Sequence, residues 1–172
     1  MKINNIDVES AGKFADEVKK DPSKAMKNKK VTGKWNFDSA MPQFEATVEF
    51  SGGSLKLEAD QAPFLGGSGS KPDPIQYCLY GLSACYAGTF MAIATAEKAD
   101  VTGLKVTAEN QVNLSRALGL SDKPIVEKVK ITAEVQSTES REKLNRIAEL
   151  ARYQCPGVFC LTNPIPLEIE VK

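Results

Sequence analysis

The sequence predicts an α+β fold with antiparallel strands and one long buried helix. Segments that alternate apolar and polar residues occur in two groups, with turn residues between neighbouring segments. Between the groups lies a stretch, residues 75–96, that contains no charged residue. The order of strands and helices along the chain, with short links between adjacent strands, is typical of a mixed α+β domain.

The first predicted element is an amphipathic helix over residues 7–20. The chain leaves this helix at Asp21-Pro22, because proline disfavours the helical conformation of the residue before it. Three short strands are predicted next, at 30–37, 43–50 and 54–59, and the turn residues between them indicate an antiparallel meander. The apolar positions of the helix lie at helical spacing: Val8, Ala11, Phe14, Ala15 and Val18.

The uncharged stretch 75–96 is predicted to be a helix that begins after Asp73-Pro74, an N-cap residue followed by proline. Its length is sufficient to cross a membrane. We instead predict a buried core helix, because polar and small residues interrupt the stretch and the rest of the chain is typical of a soluble protein. A helix of this length is hard to cover with so short a chain, so we expect a second subunit to help cover it. The interrupting residues are Gln76, Gly81, Ser83, Gly88, Thr89 and Thr95.

The second half of the chain predicts two long strands followed by helices. Alternating residues mark the strands at 104–114 and 129–135, and the link between them has turn chemistry. A helix is predicted over 139–152, a short helical turn from Cys155-Pro156, and a last strand over 166–171.

Composition excludes several function classes. The 172 residues include no histidine, which excludes a histidine general base, a Ser-His-Asp or Cys-His pair and a zinc site built on imidazole. Lysine plus arginine and aspartate plus glutamate both number 22, so the chain lacks the cationic excess of a nucleic-acid binder. The amino-terminal residues contain no apolar secretion signal, so we expect a cytoplasmic protein whose four cysteines are thiols.

The cysteines form two pairs along the chain, Cys78 with Cys85 and Cys155 with Cys160. Seven residues of helix separate the Cα atoms of Cys78 and Cys85 by about 10.5 Å, too far for a disulfide. If residues 155–160 are helical, Cys155 and Cys160 lie on different faces, so a functional disulfide must join the two segments. Neither spacing matches a zinc motif, and we expect no metal. Cys155 is a candidate N-cap, where helix N–H groups favour a thiolate, whereas the apolar surroundings of Cys85 should raise its pKa. Any of these thiols also suits a purely structural role.

Two segments together resemble the OsmC/Ohr family of thiol-dependent peroxidases: GGSGSKPDPIQYCLYGLSACYAGTFMAIA and, some 70 residues later, YQCPGVFCLTNPIPLEI. The similarity includes the glycine-rich loop, the Pro-x-Pro helix start, a cysteine that follows small residues and a late Cys-Pro. It extends from about residue 30 to the end. We therefore predict an amino-terminal helical extension over 1–28 and an OsmC-like domain over 29–172.

The resemblance implies an intertwined homodimer whose antiparallel sheets wrap around paired central helices, with active sites at the subunit interface. By position, Cys85 matches the cysteine that attacks a hydroperoxide and Cys155 matches the resolving cysteine. A small apolar hydroperoxide is then the substrate, and a thiol reductant, commonly a dithiol in this family, restores the thiols. We expect no cofactor, nucleic acid or membrane as a partner. Cys78 and Cys160 have no role in the family pattern and are expected in the core.

The sequence departs from the family at the residues that activate the thiol. The family pairs an arginine from the amino-terminal strands with a glutamate near the start of the central helix. Here Ile75 or Gln76 occupies the glutamate position, and the first arginine is Arg116. The joint loss is physically reasonable, because a buried unpaired arginine is costly. Other cations that we consider as substitutes are Lys34, Lys71 and Arg152.

Three functions remain open. The first is a thiol-dependent peroxidase that acts on organic hydroperoxides. The second is an OsmC-like thiol or redox protein without peroxidase turnover. The third is a non-catalytic dimer that binds a small apolar ligand at its interface and uses its cysteines structurally.

Overall fold

The computed structural model describes residues 2–172 as a mixed α+β protein with antiparallel sheets and a long helix. The chain divides into two compact units. One consists of the residues up to Ala11 together with Leu79–Lys172, and the other is Gly12–Cys78. Neither unit follows the predicted boundary between residues 28 and 29, which stays a prediction.

Two helices run across the limits of these units, α1 (Val8–Lys20) and α2 (Pro74–Ala96). The predicted limits of both helices are within one residue of the observed ones. Asp73 accepts a hydrogen bond from the Gln76 backbone N–H at 2.9 Å, as expected for an N-cap residue. The Gln76 side-chain oxygen in turn accepts a hydrogen bond from the Asp73 backbone N–H at 2.9 Å, which completes a capping box.

The Gly12–Cys78 unit contains the predicted meander. Its antiparallel sheet has the order β3–β4–β5, and Glu45 on the central strand pairs with Lys34 on one side and Glu58 on the other. Lysines flank these glutamates: Glu45 binds Lys34 and Lys56, and Glu58 binds Lys56 and Lys71, at 2.8–3.1 Å. The strands are β3 (Thr32–Trp35), β4 (Phe44–Phe50) and β5 (Gly53–Ala59).

The other unit contains the two long strands and the last two helices. Its strands pair antiparallel, and Val106 lies opposite Ala133 with an apolar face toward the core. Arg146 forms a bidentate ion pair with Glu97, with both N–O distances at 2.6 Å, which ties the residues after α2 to α3. The elements are β6 (Val101–Val112), β7 (Val126–Ser137), α3 (Arg141–Gln154) and α4 (Pro156–Thr162).

A small hairpin at the amino terminus was not predicted from the sequence. Its strands, β1 (Lys2–Ile3) and β2 (Ile6–Asp7), are joined by Asn4 and Asn5, which have φ of 52° and 60°. Asparagine tolerates this left-handed conformation, and such pairs favour tight hairpin turns. The Asn4 amide also donates to the buried Thr95 hydroxyl at 3.0 Å, so the hairpin is fixed to the end of α2.

One face of α2 forms the centre of the core. Leu82, Tyr86, Phe90 and Ala94 recur at four-residue spacing and are all buried, as expected for one stripe of a helix. They pack with α3 and with the apolar face of the long strands. The fully buried side chains of the cluster include Phe90, Ile147 and Cys155.

The opposite face of α2 is exposed in the single chain. The helix is the one helix among residues 2–172 that is long and apolar enough to cross a membrane by length and composition. One stripe of the helix is nevertheless buried, which is the arrangement of a core helix. The single chain therefore leaves uncovered the face for which the sequence predicts a second subunit.

The predicted last strand over 166–171 is wrong for the single chain. Residues 163–172 contain no strand, and Leu167, Ile169 and Val171 are more than four-fifths exposed. The alternation of apolar and polar residues in this tail is real, but a strand forms only where a neighbouring edge accepts its hydrogen bonds.

The glycine-rich loop before α2 is held by one buried aspartate. Asp60, 2% exposed, accepts hydrogen bonds from the hydroxyl and backbone N–H of both Ser68 and Ser70. The Ser68 hydroxyl contributes most to lowering the pKa of Asp60, which is about 2 instead of 3.8. The sequence showed a loop here but did not reveal this anchor, because Asp60 stands eight and ten residues from its partners.

Asp60 should make the stability of the fold sensitive to acid. Because folding lowers its pKa, the stabilisation is complete above about 3.8 and is lost as the pH falls toward about 2. We expect Asp60→Asn to lower the melting temperature at neutral pH and to show a smaller loss than the wild type on acidification. Thermal melts at a series of pH values check this, with the exposed Asp122→Asn as control. Equal acid sensitivity of wild type and Asp60→Asn would contradict the assignment.

Candidate active site

Two cysteines from distant parts of the chain meet in one unit. Cys85 lies in the middle of α2, and Cys155 lies in the one-residue junction where α3 ends and α4 begins. Cys155 has extended backbone angles, φ −75° and ψ 118°, and Pro156 at the first position of α4 fixes the new helix direction. The predicted N-cap position of Cys155 is observed, but its side chain makes no capping hydrogen bond.

The two sulfurs are placed for thiol chemistry. Cys155 Sγ–H donates to Cys85 Sγ with 3.5 Å between the sulfurs, and both residues are free thiols. A disulfide requires about 2.05 Å, so the sulfurs must approach by about 1.5 Å. Residues 70 positions apart are thus within reach of a bond after a small local movement.

The two thiols differ in their access to solvent. Cys155 is 0% exposed, whereas Cys85 is only partly buried. Burial raises the pKa of the Cys85 thiol above its ordinary value, as the apolar helix predicts, and the adjacent Cys155 raises it further. A peroxide arriving from solvent can therefore reach Cys85 more easily than Cys155.

Gly157 is the site residue that the sequence did not identify. Its backbone N–H lies in the first turn of α4 and lowers the pKa of Cys85, because it can donate to the thiolate. A Cβ at this position would lie 3.3 Å from Leu82 Cδ1, 3.4 Å from Cys85 Cβ and 3.6 Å from Cys85 Sγ. The distance to Leu82 is tight for a Cβ and the distances to Cys85 are those of ordinary contact, so a side chain here would crowd α4 against Leu82 beside Cys85. The available signal was the small residue directly after Cys155-Pro156.

Gly157→Ala should slow disulfide formation by about tenfold, because tenths of an ångström of crowding displace Cys155 from Cys85. Stopped-flow loss of free thiols after one equivalent of peroxide measures the rate. The matched control is Gly81→Ala, one helical turn before Cys85, where a Cβ meets no atom within 4 Å. An unchanged rate in Gly157→Ala would show that the close approach has no role in disulfide formation.

The cations proposed to replace the family's arginine are engaged with glutamates. Lys34 binds Glu45 at 3.1 Å, Lys71 binds Glu58 at 2.8 Å and Arg152 binds Glu149 at 3.4 Å. Within the unit that contains Cys85, residues 2–11 and 79–172, no lysine or arginine contributes to lowering the pKa of Cys85. Arg152, which is in the same unit as Cys85, therefore does not take the place of the family's arginine in the single chain, and a role for Lys34 or Lys71 stays a prediction.

The expectation that Cys78 and Cys160 are core residues is wrong, because both are exposed. Cys78 precedes Leu82, where the buried stripe of α2 begins. Cys160 lies two residues after the buried Val158, which places it on the other side of the short α4. Among residues 2–172, no three Cys, Asp or Glu side chains are grouped to hold a metal ion.

A cleft of about 640 Å³ lies in the same unit, between β7, α3 and α4. Neither Cys85 nor Cys155 lines the cleft, although Tyr86, the residue after Cys85, and Val158, three residues after Cys155, do. The Tyr86 hydroxyl donates to the Ala148 carbonyl at 3.2 Å and joins α2 to α3 at the cleft wall. Apolar side chains from β7 line it together with Ala148 and Arg152.

Comparisons with known proteins agree with this architecture. The sequence model of the family described as OsmC-like protein matches residues 67–170, more than half of the chain. No curated protein sequence matches the chain.

Three crystal structures share the fold at low sequence identity. The OsmC-like protein of Mycoplasma pneumoniae has a TM-score of 0.56 and 19% identity, covering 78% of this chain and 87% of its own. The organic hydroperoxide resistance protein OsmC of Legionella pneumophila has a TM-score of 0.56 and 18% identity, and the match covers 80% of this chain and 92% of that protein. An organic hydroperoxide resistance protein of Elizabethkingia anophelis has a TM-score of 0.58 and 17% identity, and the match covers 79% of this chain and 90% of that protein. The family match and the shared fold lead to one conclusion: the chain belongs to the OsmC-like protein family, which includes redox and hydroperoxide resistance proteins.

Proposed function

We propose that the protein is a thiol-dependent peroxidase that reduces organic hydroperoxides, with Cys85 as the attacking and Cys155 as the resolving cysteine. The observation that carries the proposal is the 3.5 Å separation of the two sulfurs. Membership of a family that includes hydroperoxide resistance proteins supports it. The partly exposed Cys85 and the fully buried Cys155 suit the order of attack and resolution.

In the first step the Cys85 thiolate attacks the terminal oxygen of the hydroperoxide. The S–O bond forms as the O–O bond breaks, and the alkoxide leaves as the alcohol after it gains a proton. Cys85 becomes a sulfenic acid, oxidised by two electrons. The Gly157 N–H is the group in reach that favours the thiolate over the thiol.

In the second step the sulfur of Cys155 attacks Cys85 Sγ. The S–S bond forms while the S–O bond breaks, and the hydroxyl group leaves as water with the Cys155 proton. A dithiol reductant then reduces the disulfide by thiol exchange, restores both thiols and becomes a disulfide itself. No cofactor takes part in this cycle, and the proposal places it in the reducing cytoplasm.

The direct test is consumption of cumene hydroperoxide by the reduced protein with an excess of dithiol, compared with hydrogen peroxide. We expect many turnovers per protein chain and faster reaction with the organic hydroperoxide. Consumption limited to one equivalent, or absent, would contradict the proposal.

A second candidate is a thiol redox protein without peroxidase turnover, and the raised pKa of Cys85 favours it. A raised pKa means that less of the reactive thiolate exists at neutral pH. This candidate predicts that the alkylation rate of Cys85 by iodoacetamide, followed by mass spectrometry, keeps rising above pH 9.0, the ordinary pKa. A plateau below that pH would reveal an activated thiolate and would remove the observation that favours this candidate over the peroxidase.

We also propose that the protein is a homodimer, in which a second copy covers the exposed face of α2. The outer face of the helix offers an apolar stripe of mostly small residues, which permits close helix contact. Light scattering is expected to give twice the chain mass of 18.6 kDa, and a single-chain mass would contradict this. The stripe consists of Tyr80, Ala84, Gly88, Ala92 and Ala96, all exposed.

A further inference from the structure

No residue on the apolar face of α1 is fully buried in the structure, although Val8 and Val18 are partly covered. None of the residues of this helix is buried, and Phe14, its largest apolar residue, is 44% exposed. Helical geometry places its acidic residues, Glu9, Asp16 and Glu17, on the side away from the apolar face. The helix is thus strongly amphipathic and presents an apolar face to solvent. That face consists of Val8, Ala11, Phe14, Ala15 and Val18.

A lysine-rich segment, residues 19–30, includes the last turn of α1 and the chain after it. It contains six lysines and one aspartate, and every residue in it is exposed. The chain as a whole has a formal net charge of zero, so this positive excess is local. Lys27 lies over the Phe14 ring at 5.1 Å from its centroid, which brings the positive charge to the apolar face.

Some of these lysines have no anionic partner. Lys19 binds Asp16 and Lys24 binds Glu17, both in exposed pairs. In the part of the chain that the structure describes, Lys20, Lys29 and Lys30 form no ion pair. Exposed Met26, at 81%, adds a further apolar side chain within the segment.

We propose that α1 and the lysine-rich segment bind the surface of a membrane that contains anionic lipid. The apolar face of α1 enters the boundary between headgroups and acyl chains, and the lysines contact the anionic headgroups. Both features are required of a helix that lies in the membrane interface: an apolar face and a neighbouring cluster of positive charge. The helix lies on the membrane and does not span it.

The combination favours lipid over two other occupants. A nucleic acid would neutralise the lysines but offers no apolar phase to Phe14. Packing of α1 on α1 of a second copy would cover the apolar face but would bring a second set of six lysines close to the first. A membrane surface as partner departs from the expectation, made from the sequence, that no membrane is a partner. It does not depend on the chemistry of Cys85.

The test is sedimentation of the full chain with vesicles of equal parts phosphatidylcholine and phosphatidylglycerol, compared with pure phosphatidylcholine. We expect binding to the anionic vesicles alone, weakened by added salt. The triple variant Lys20→Gln, Lys29→Gln, Lys30→Gln should reduce affinity about 100-fold, at about fivefold per lysine. Phe14→Ser should reduce it about tenfold or more. The matched control removes three exposed lysines elsewhere: Lys105→Gln, Lys123→Gln, Lys130→Gln.

Three results would overturn the proposal. The first is an equal loss of affinity in the control triple variant, which would show that vesicle binding depends on the net charge of the whole chain and not on the lysine-rich segment. The second is binding to a DNA or RNA oligonucleotide that depends on the three lysines but not on Phe14, without vesicle binding. The third is a loss of dimer mass in Phe14→Ser without vesicle binding, which would assign the apolar face to a second copy.

Discussion

Cys85→Ser is expected to lower the rate of hydroperoxide reduction by about 1,000-fold or more, because a serine hydroxyl stays protonated and is a poor nucleophile toward peroxide. The partly buried position of Cys85 accommodates serine without a large change in volume. The fold should therefore persist, which circular dichroism can verify. The measurement is the single-turnover reaction of each variant with cumene hydroperoxide.

Cys155→Ser should separate attack from resolution. Cys85 still attacks the peroxide in this variant, but its sulfenic acid has no neighbouring thiol 3.5 Å away with which to condense. We expect the sulfenic acid to accumulate, to react with dimedone and to oxidise further under excess peroxide. The matched controls are Cys78→Ser and Cys160→Ser, which remove exposed thiols outside the pair. Loss of activity in either control comparable to that of Cys85→Ser would refute the assignment of roles.

Phe90→Ala is expected to lower the free energy of unfolding by about 3–5 kcal/mol, the usual cost of removing a buried aromatic ring. Phe90 is 1% exposed in the centre of the α2 face, and its ring centroid lies 6.4 Å from that of Tyr86. Phe90 belongs to the same buried cluster as Ile147, which is fully buried. The cavity left by the ring would therefore be lined by apolar side chains, and water entering it would gain no polar partner there.

Urea unfolding followed by fluorescence measures this change, and Phe37→Ala is the control. Phe37 is 95% exposed, so the same substitution should there change the free energy of unfolding by less than about 0.5 kcal/mol. A similar cost at both positions would mean that the α2 face is not the core of this unit.

The sequence predicted the elements whose signals are local. The uncharged stretch and the Asp73-Pro74 start located α2 to within one residue, and the alternation of apolar residues located β6 and β7. The two cysteines that meet were singled out by resemblance to a family and by excluding a disulfide within either helical pair. Their separation of 3.5 Å is a tertiary fact that no local pattern contains.

Features that depend on partners far along the chain were missed or wrong. Residues 166–171 alternate like a strand, yet the single chain offers them no pairing edge. Cys78 and Cys160 were expected in the core because free cysteine is usually buried, but both are exposed: Cys78 lies before the buried part of α2, and Cys160 lies on the outer side of α4. The role of Gly157 depends on the packing of α4 against Cys85, a tertiary contact that no local pattern contains.

The central claim is that Cys85 and Cys155 form a redox pair. Its most direct measurement is peptide mapping by mass spectrometry of the reduced protein after one equivalent of cumene hydroperoxide. We predict one major disulfide, joining the peptide that contains Cys85 to the peptide that contains Cys155. Recovery of both residues as free thiols, or a major disulfide that includes Cys78 or Cys160, would contradict the claim.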